Sequence, residues 1–155
     1  MVVEHLLSID PGAKGAAVKW YQGTVDAIYA GDGWATKLVA DLKNYDSSTR
    51  VVIEKAQAMP GQGVASMFRY GQSYGEILGA CAAIGLSLVQ VSPRAWQSLA
   101  YRGVSGEGKA RSIEACRRIL PKINLVRAGC KKPHDGVADA ALIGWWAFLS
   151  NGGRG

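Results

Sequence analysis

Leu6-Leu7-Ser8-Ile9-Asp10-Pro11-Gly12, followed by Ala13-Lys14-Gly15-Ala16-Ala17-Val18, is the stretch whose reading decides the fold. The apolar run from Val2 to Ile9 reads as a strand that ends in a carboxylate and a Pro-Gly turn signal. Pro11 removes a ladder donor, and Gly12 with Gly15 allows the chain to reverse sharply. The pattern resumes as a second strand from Ala16 to Trp20, and a third follows Gly23. A carboxylate at a strand end beside a tight turn points out of the sheet, within reach of a metal ion or a phosphate. Taken alone, Asp-Pro-Gly favours an Asp10 that merely caps its own turn. The question for the rest of the chain is whether other acids converge on it.

The 155 residues suffice for one domain with a single sizeable core. Apolar residues at 48% and charged residues at 19% are globular values. A net charge of +6 and a pI near 9.4 lean toward a polyanionic partner. The three cysteines, Cys81, Cys116 and Cys130, lie far apart with no Cys-x-x-Cys pair. With only His5 and His134 beside them, they argue against a disulfide framework or a zinc site and suit a reducing cytoplasm. The N-terminus reaches a strand without a signal-peptide pattern. The low-charge stretch from Gly71 to Val91 is interrupted by Gln72, Glu76 and Gln90, which predicts no membrane span.

After Gly31-Asp32-Gly33, the spacing of Trp34, Leu38, Val39 and Leu42 predicts a helix over 34–42 that lies on the sheet. Arg50-Val51-Val52-Ile53-Glu54 then reads as a buried parallel strand, and it also ends in an acid. Residues 55–63 form a loop, and a long helix follows from Val64 to Ile84. Gly71, Gly75 and Gly79, continued by Ala83, give that helix one nearly bare face. Interior glycine costs a helix about 0.5–1 kcal/mol relative to alanine, so a close approach to the chain's own sheet is expected along the stripe. The opposite face, with Met67, Tyr70, Tyr74, Ile77, Leu78 and Cys81, is then expected to meet a partner chain in part. Leu86 to Val91 is a further strand, and Ser92-Pro93 opens a capped helix. A basic-aromatic loop over 101–108 leads to a helix from Lys109 to Leu120, and Arg127, Lys131 and Lys132 mark a second cationic loop. The last helix, about Asp135 to Leu149, is apolar over most of its surface.

That last helix carries Asp135 and Asp139, four residues apart and therefore on one face. Asp135 could be only an N-cap, but an acid such as Asp139 in an apolar run is costly unless it meets a cation. Together with Asp10 and Glu54 at strand ends, the pair makes four hard oxygen ligands, the donor set for Mg²⁺, with Mn²⁺ as a substitute. Two such ions per site would serve in-line displacement at a phosphodiester. Lys14, Arg94, Arg102, Lys109, Arg111 and Arg118 are the cations expected to hold the polyanion beside those acids.

Ile9-Asp10-Pro11-Gly12, Val52-Ile53-Glu54 and Asp135-Gly136-Val137-Ala138-Asp139-Ala140, in that order, resemble the RuvC-type Holliday junction resolvases, especially phage-encoded members. Met59-Pro60-Gly61-Gln62-Gly63, Phe68, Tyr70-Gly71, Ser73-Tyr74-Gly75 and Ser92-Pro93 with Trp96 add to the resemblance, which runs from Leu6 to Ile143. It implies an α/β, ribonuclease-H-like fold: a five-stranded mixed sheet, three antiparallel strands then two parallel, flanked by helices. One nuclease domain would span 1–150, with 151–155 a loose tail. It further implies a homodimer, in the cytoplasm of a bacterium or of a phage-infected host, that resolves four-way DNA by paired nicks. Asp10, Glu54, Asp135 and Asp139 fall on the family's four acidic positions. Cellular members often space the last pair by three, which would place Gly136 there, and His134 is the reserve ligand. They also carry an aromatic wedge where this chain has Gln57, a role that Met59, Phe68 or Tyr70 would have to fill.

Three other readings stand beside this one. A nuclease of the same fold could cut flaps and forks as well as junctions. An actin-like nucleotide-binding domain also places an acid and a glycine turn after its first strand. A DNA-binding module that does not cut would use the acids only as caps.

Overall fold

The structure, a computed structural model, describes residues 5–57 and 60–152. Strands β1 (His5–Asp10), β2 (Ala16–Tyr21) and β3 (Thr24–Ala30) form an antiparallel meander. Helix α1 (Trp34–Leu42) crosses to β4 (Arg50–Glu54), which pairs parallel to β1. Helix α2 (Val64–Ile84) returns the chain to β5 (Ser87–Val91), parallel to β4. The sheet order is β3-β2-β1-β4-β5, so the expected three antiparallel strands followed by two parallel ones are present. Helices α3 (Pro93–Ala100), α4 (Gly108–Ile119) and α5 (Asp135–Gly152) complete the chain. Helix α5 runs two residues into the stretch read as a tail, and 153–155 lie outside the described residues.

Strand side chains alternate between faces, and this alternation divides the core in two. Leu7, Ile9, Ala17, Val51 and Ile53 point to one side, under α1 and α2. Leu6, Val18, Trp20 and Val52 point to the other, where α5 lies flat on the sheet with α3 and α4 around it. Burying a Leu or Ile side chain contributes about 1.5–3 kcal/mol, and both layers hold several that are fully enclosed. Helix α5 has polar surface only at its ends because it is sandwiched: Val137, Ala138, Ala140 to Ile143 and Ala147 are all buried. Gly144 lets the helix approach the sheet closely, since a Cβ there would collide with the Trp20 indole and the Ser8 hydroxyl. Those two polar groups satisfy each other, Trp20 Nε1 donating to Ser8 Oγ at 2.9 Å.

One expectation is overturned at α2. The face carrying Tyr74, Ile77, Leu78 and Cys81 packs on the chain's own sheet, with Ile77 and Cys81 fully buried and Tyr74 bonded to Gln90 at 2.9 Å. The bare stripe faces outward: nothing approaches within 4 Å of a Cβ placed at Gly71, Gly75 or Gly79. Glycine spacing identifies a face but not which neighbour it meets. Here the large side chains carried the hydrophobic driving force and turned inward. Gly85 closes this helix in the left-handed conformation at φ 75°, which a Cβ would disfavour. Among the described residues no helix is long and apolar enough to cross a membrane.

Candidate active site

The register of two adjacent strands brings the first two acids together. Ile9 pairs with Ile53 across the parallel β1/β4 ladder, so the next residues, Asp10 and Glu54, leave the sheet side by side. Both continue the rows that face α5, Leu6–Ser8–Asp10 on β1 and Val52–Glu54 on β4. The first two turns of α5 lie over this end of the sheet and carry Asp135 and Asp139. The four acids sense one another: the charges of Asp139, Glu54 and Asp135 all act on Asp10.

Each acid is seated by specific neighbours. Behind Asp10 the turn is tight, with Gly15 N donating to Gly12 O at 2.8 Å, and no Cβ fits at Gly15. Gly12 N–H reaches toward Asp10 Oδ1 at 3.5 Å. Glu54 accepts from Trp96 Nε1 at 2.7 Å. Trp96 is fully buried, and its helix α3 is fixed by the Ser92 hydroxyl accepting from Ala95 N, with Pro93 in the first turn. Tyr101 packs edge-on to Trp96 and shares a hydrogen bond with Ser112 at 2.6 Å, beside Asp139. Tyr70 lies near Asp10 and Glu54 from the α2 side, its phenol pushed up by burial and then by those two charges. Trp96, Ser112 and Tyr101 are residues beside the acids to which sequence reasoning gave no role, and Tyr70, weighed there as a wedge, stands near Asp10 and Glu54. The signal available for Trp96 was an indole in the first turn of a capped helix, directly after a strand.

Burial and crowding raise the carboxyl groups. Asp10 titrates well above the ordinary range, chiefly through burial and then through Asp139 and Glu54. Asp139 is pushed up to about 7, again by burial first, with the Ser112 hydroxyl opposing and the charges of Glu54 and Asp135 adding. Glu54 is raised by burial, which the Trp96 bond partly offsets. Asp135 forms an ion pair with Lys109 at 3.8 Å.

Residues 134–136 differ in their surroundings. His134 caps α5, its Nδ1 accepting from Val137 N at 3.2 Å and its carbonyl from Ala138 N. Position 136 has no room for a carboxylate, because a Cβ on Gly136 would run into the Lys14 carbonyl. Asp135 is therefore the residue beside Asp139 that is free of a capping role.

The donor set fits a hard divalent cation. Asp139 Oδ1 is buried without a hydrogen-bond partner, a costly state for a carboxylate that a metal would relieve. Among the described residues no three such side chains close around a common point.

Depressions flank the acids on both sides. One, of about 660 Å³, is lined by Gln57, Ser92, Arg94, Tyr101, Arg102 and Arg111. The other, of about 790 Å³, includes Lys14, Lys109 and the 127–133 loop. Arg94 and Arg102 are exposed there. Arg111 also holds the 101–104 loop, with Nε donating to Val104 O at 3.0 Å and its guanidinium 4.7 Å from the Tyr101 ring centre. Arg118 lies outside these depressions, bound to Glu114 at 2.8 Å and to Gly103 O at 3.0 Å. Met59, one possible wedge, lies outside the described residues. Phe68 is 69% exposed on α2.

Sequence comparison with protein-family models and with curated proteins finds no match. Comparison with solved structures does. Thermus thermophilus RuvC superposes with a TM-score of 0.57 at 17% identity, covering 96% of both chains. The T. thermophilus RuvC structure in complex with Holliday junction substrate gives 0.58 at 15% identity, again over 96% of each. The chain thus has the ribonuclease-H-like α/β fold of RuvC over nearly its whole length.

Proposed function

We propose that the protein is a metal-dependent endonuclease that resolves four-way DNA junctions. The observation that carries this reading is that Asp10, Glu54, Asp135 and Asp139 stand at one end of the sheet, near enough for the charges of the other three to act on Asp10, with basic depressions beside them. The fold's likeness to a protein solved with a Holliday junction supports junctions as the substrate class. Asp10, Glu54, Asp135 and Asp139 would hold Mg²⁺ or Mn²⁺, two ions to a site, supplying Lewis-acid stabilisation and an ionised water at the phosphodiester. The chain's own groups do the rest. Trp96 orients Glu54, as outer partners of metal ligands do. Arg94 and Arg102 attract the backbone, and the apolar layer beneath α5 keeps the acids' rear side dry.

Incubation with labelled four-way, forked and linear DNA in Mg²⁺ tests this. Symmetric paired nicks in the four-way substrate, abolished by chelation, are expected. Equal cutting of forks would instead support the broader branched-DNA nuclease, a reading favoured by the exposed Gln57 at the wall of the arginine depression. Cutting insensitive to chelation would remove the metal from the mechanism.

Two symmetric cuts call for two chains related by a two-fold axis. The outward face of α2 is the surface proposed for this contact: Val64 is 87% exposed and Phe68 69%, beside the open glycine stripe. The wild type is expected to sediment as a dimer at micromolar concentration and Gly75→Glu as a folded monomer. Glutamate is the better helix former, so loss of helix would not explain that result. A monomeric wild type that still makes paired nicks would sink the idea.

A further inference from the structure

The depression on the Asp135 side has a composition that the carboxylate site does not require. Its lining includes Lys14, Lys109, Arg127, Lys131 and Lys132, against two acids, Asp32 and Asp135. Among the described residues only Lys109 of these five cations has an ion-pair partner. The loop presenting three of them is fixed, not splayed by repulsion. Val126 bridges to Pro133, His134 N donates to Leu125 O at 2.8 Å, and Cys130 N to Arg127 O at 2.9 Å. The opposite wall is the N-terminal turn of α1, which has no side-chain cap and no acid in its first turn. Clustered cations that outnumber their counter-charges are electrostatically costly until a polyanion neutralises them.

The depressions are also neighbours. A third, of about 470 Å³, contains Lys109 and Asp139 together with Gln97, Tyr101 and Arg111. It shares Lys109 with the lysine-rich cleft and Gln97, Tyr101 and Arg111 with the arginine cleft. Asp135 lines the first and Asp139 the third, and a row of adjoining depressions suits a chain of phosphates more than one small anion.

We propose that the Lys14–Arg127–Lys131–Lys132 cleft is a second phosphate site, holding the DNA backbone on the side of the carboxylates away from Arg94 and Arg102. This assignment rests on the nuclease reading. Cys130 supplies a built-in reporter: it lines the cleft and is exposed, whereas Cys81 and Cys116 are buried. With the wild-type chain and no divalent metal, a saturating four-way junction is expected to slow N-ethylmaleimide alkylation of Cys130 by about tenfold at low salt, with recovery at high salt. Lys131→Ala/Lys132→Ala should flatten the slope of log affinity against log salt by up to roughly 0.9 for each phosphate that is no longer neutralised. A bound junction that leaves Cys130 fully reactive and the double variant's slope unchanged would overturn the cleft but not the nuclease. Pyrophosphate protecting Cys130 as well as the junction does would make it a small-anion pocket, also against the proposal. A wild type that binds no branched DNA would bring down both.

Discussion

Asp139→Asn is expected to melt above the parent chain at pH 8 without divalent metal, yet to cut DNA at least about a thousandfold more slowly. The stability half follows from titration. The Asp139 carboxyl is held at about 7 in the fold against an ordinary value of 3.8, mainly by burial. An acid raised by folding favours the protonated native state. Its contribution is intact below about pH 4 and is lost as the pH rises through about 7. At pH 8 the parent therefore carries an ionised, half-buried group with Oδ1 unpartnered, and the amide removes that charge. The gain should be on the order of 1–3 kcal/mol, a few degrees or more for a chain of this size. Melting curves from pH 4 to 8 should fall for the parent and stay flatter for the variant, with the order reversed by saturating Mg²⁺. The catalytic half rests on the proposed role of Asp139 as a ligand: about 4 kcal/mol of transition-state stabilisation corresponds to a factor near 10³. A variant that melts lower than the parent at pH 8, metal-free, would make Asp139 a structural acid.

Gly144→Val is expected to abolish folding or nearly so. A Cβ at this position would sit 2.5 Å from Trp20 Nε1 and 2.8 Å from Ser8 Oγ. Neither neighbour can give way, since Trp20 is buried between β2 and α5 and its indole N–H already donates to Ser8. Relief requires α5 to lift from the sheet or the buried hydrogen bond to break. Overpacking costs roughly 1–3 kcal/mol and an unsatisfied buried partner about as much again, a large share of the ~5–15 kcal/mol available to a domain. Urea unfolding followed by circular dichroism measures it. A variant with the parent's midpoint would show that the helix is not seated as tightly as this geometry requires.

Much of this architecture was legible in the chain. Val51 to Ile53 read as a parallel strand because it is continuously apolar, and the acids at the ends of β1 and β4 stood out against that background. The 34–42 helix was legible in the spacing of Trp34, Leu38 and Leu42, all buried as expected. What stayed hidden depends on interactions between residues distant in sequence. Trp96 meets Glu54 across 42 positions, and no local pattern announces a hydrogen bond of that kind. The basic cleft assembles Lys14, the start of α1 and the 127–133 loop, three segments with no shared periodicity. The glycines of α2 misled because a bare stripe has two physical uses, close packing or an open surface, and the sequence carries both equally well.

The close approach of Gly136 to the Lys14 carbonyl has a consequence for how such a site can change over evolutionary time. It sets the start of α5 against the β1–β2 turn, main chain to main chain, a contact in which no carboxylate takes part. Acids can be exchanged one at a time on this frame without altering the spacing of those that remain. The length of the turn from Pro11 to Gly15 has no such freedom, since one added residue would displace the surface against which the helix is gauged. Drift in the side chains is thereby separated from drift in the ruler that spaces them.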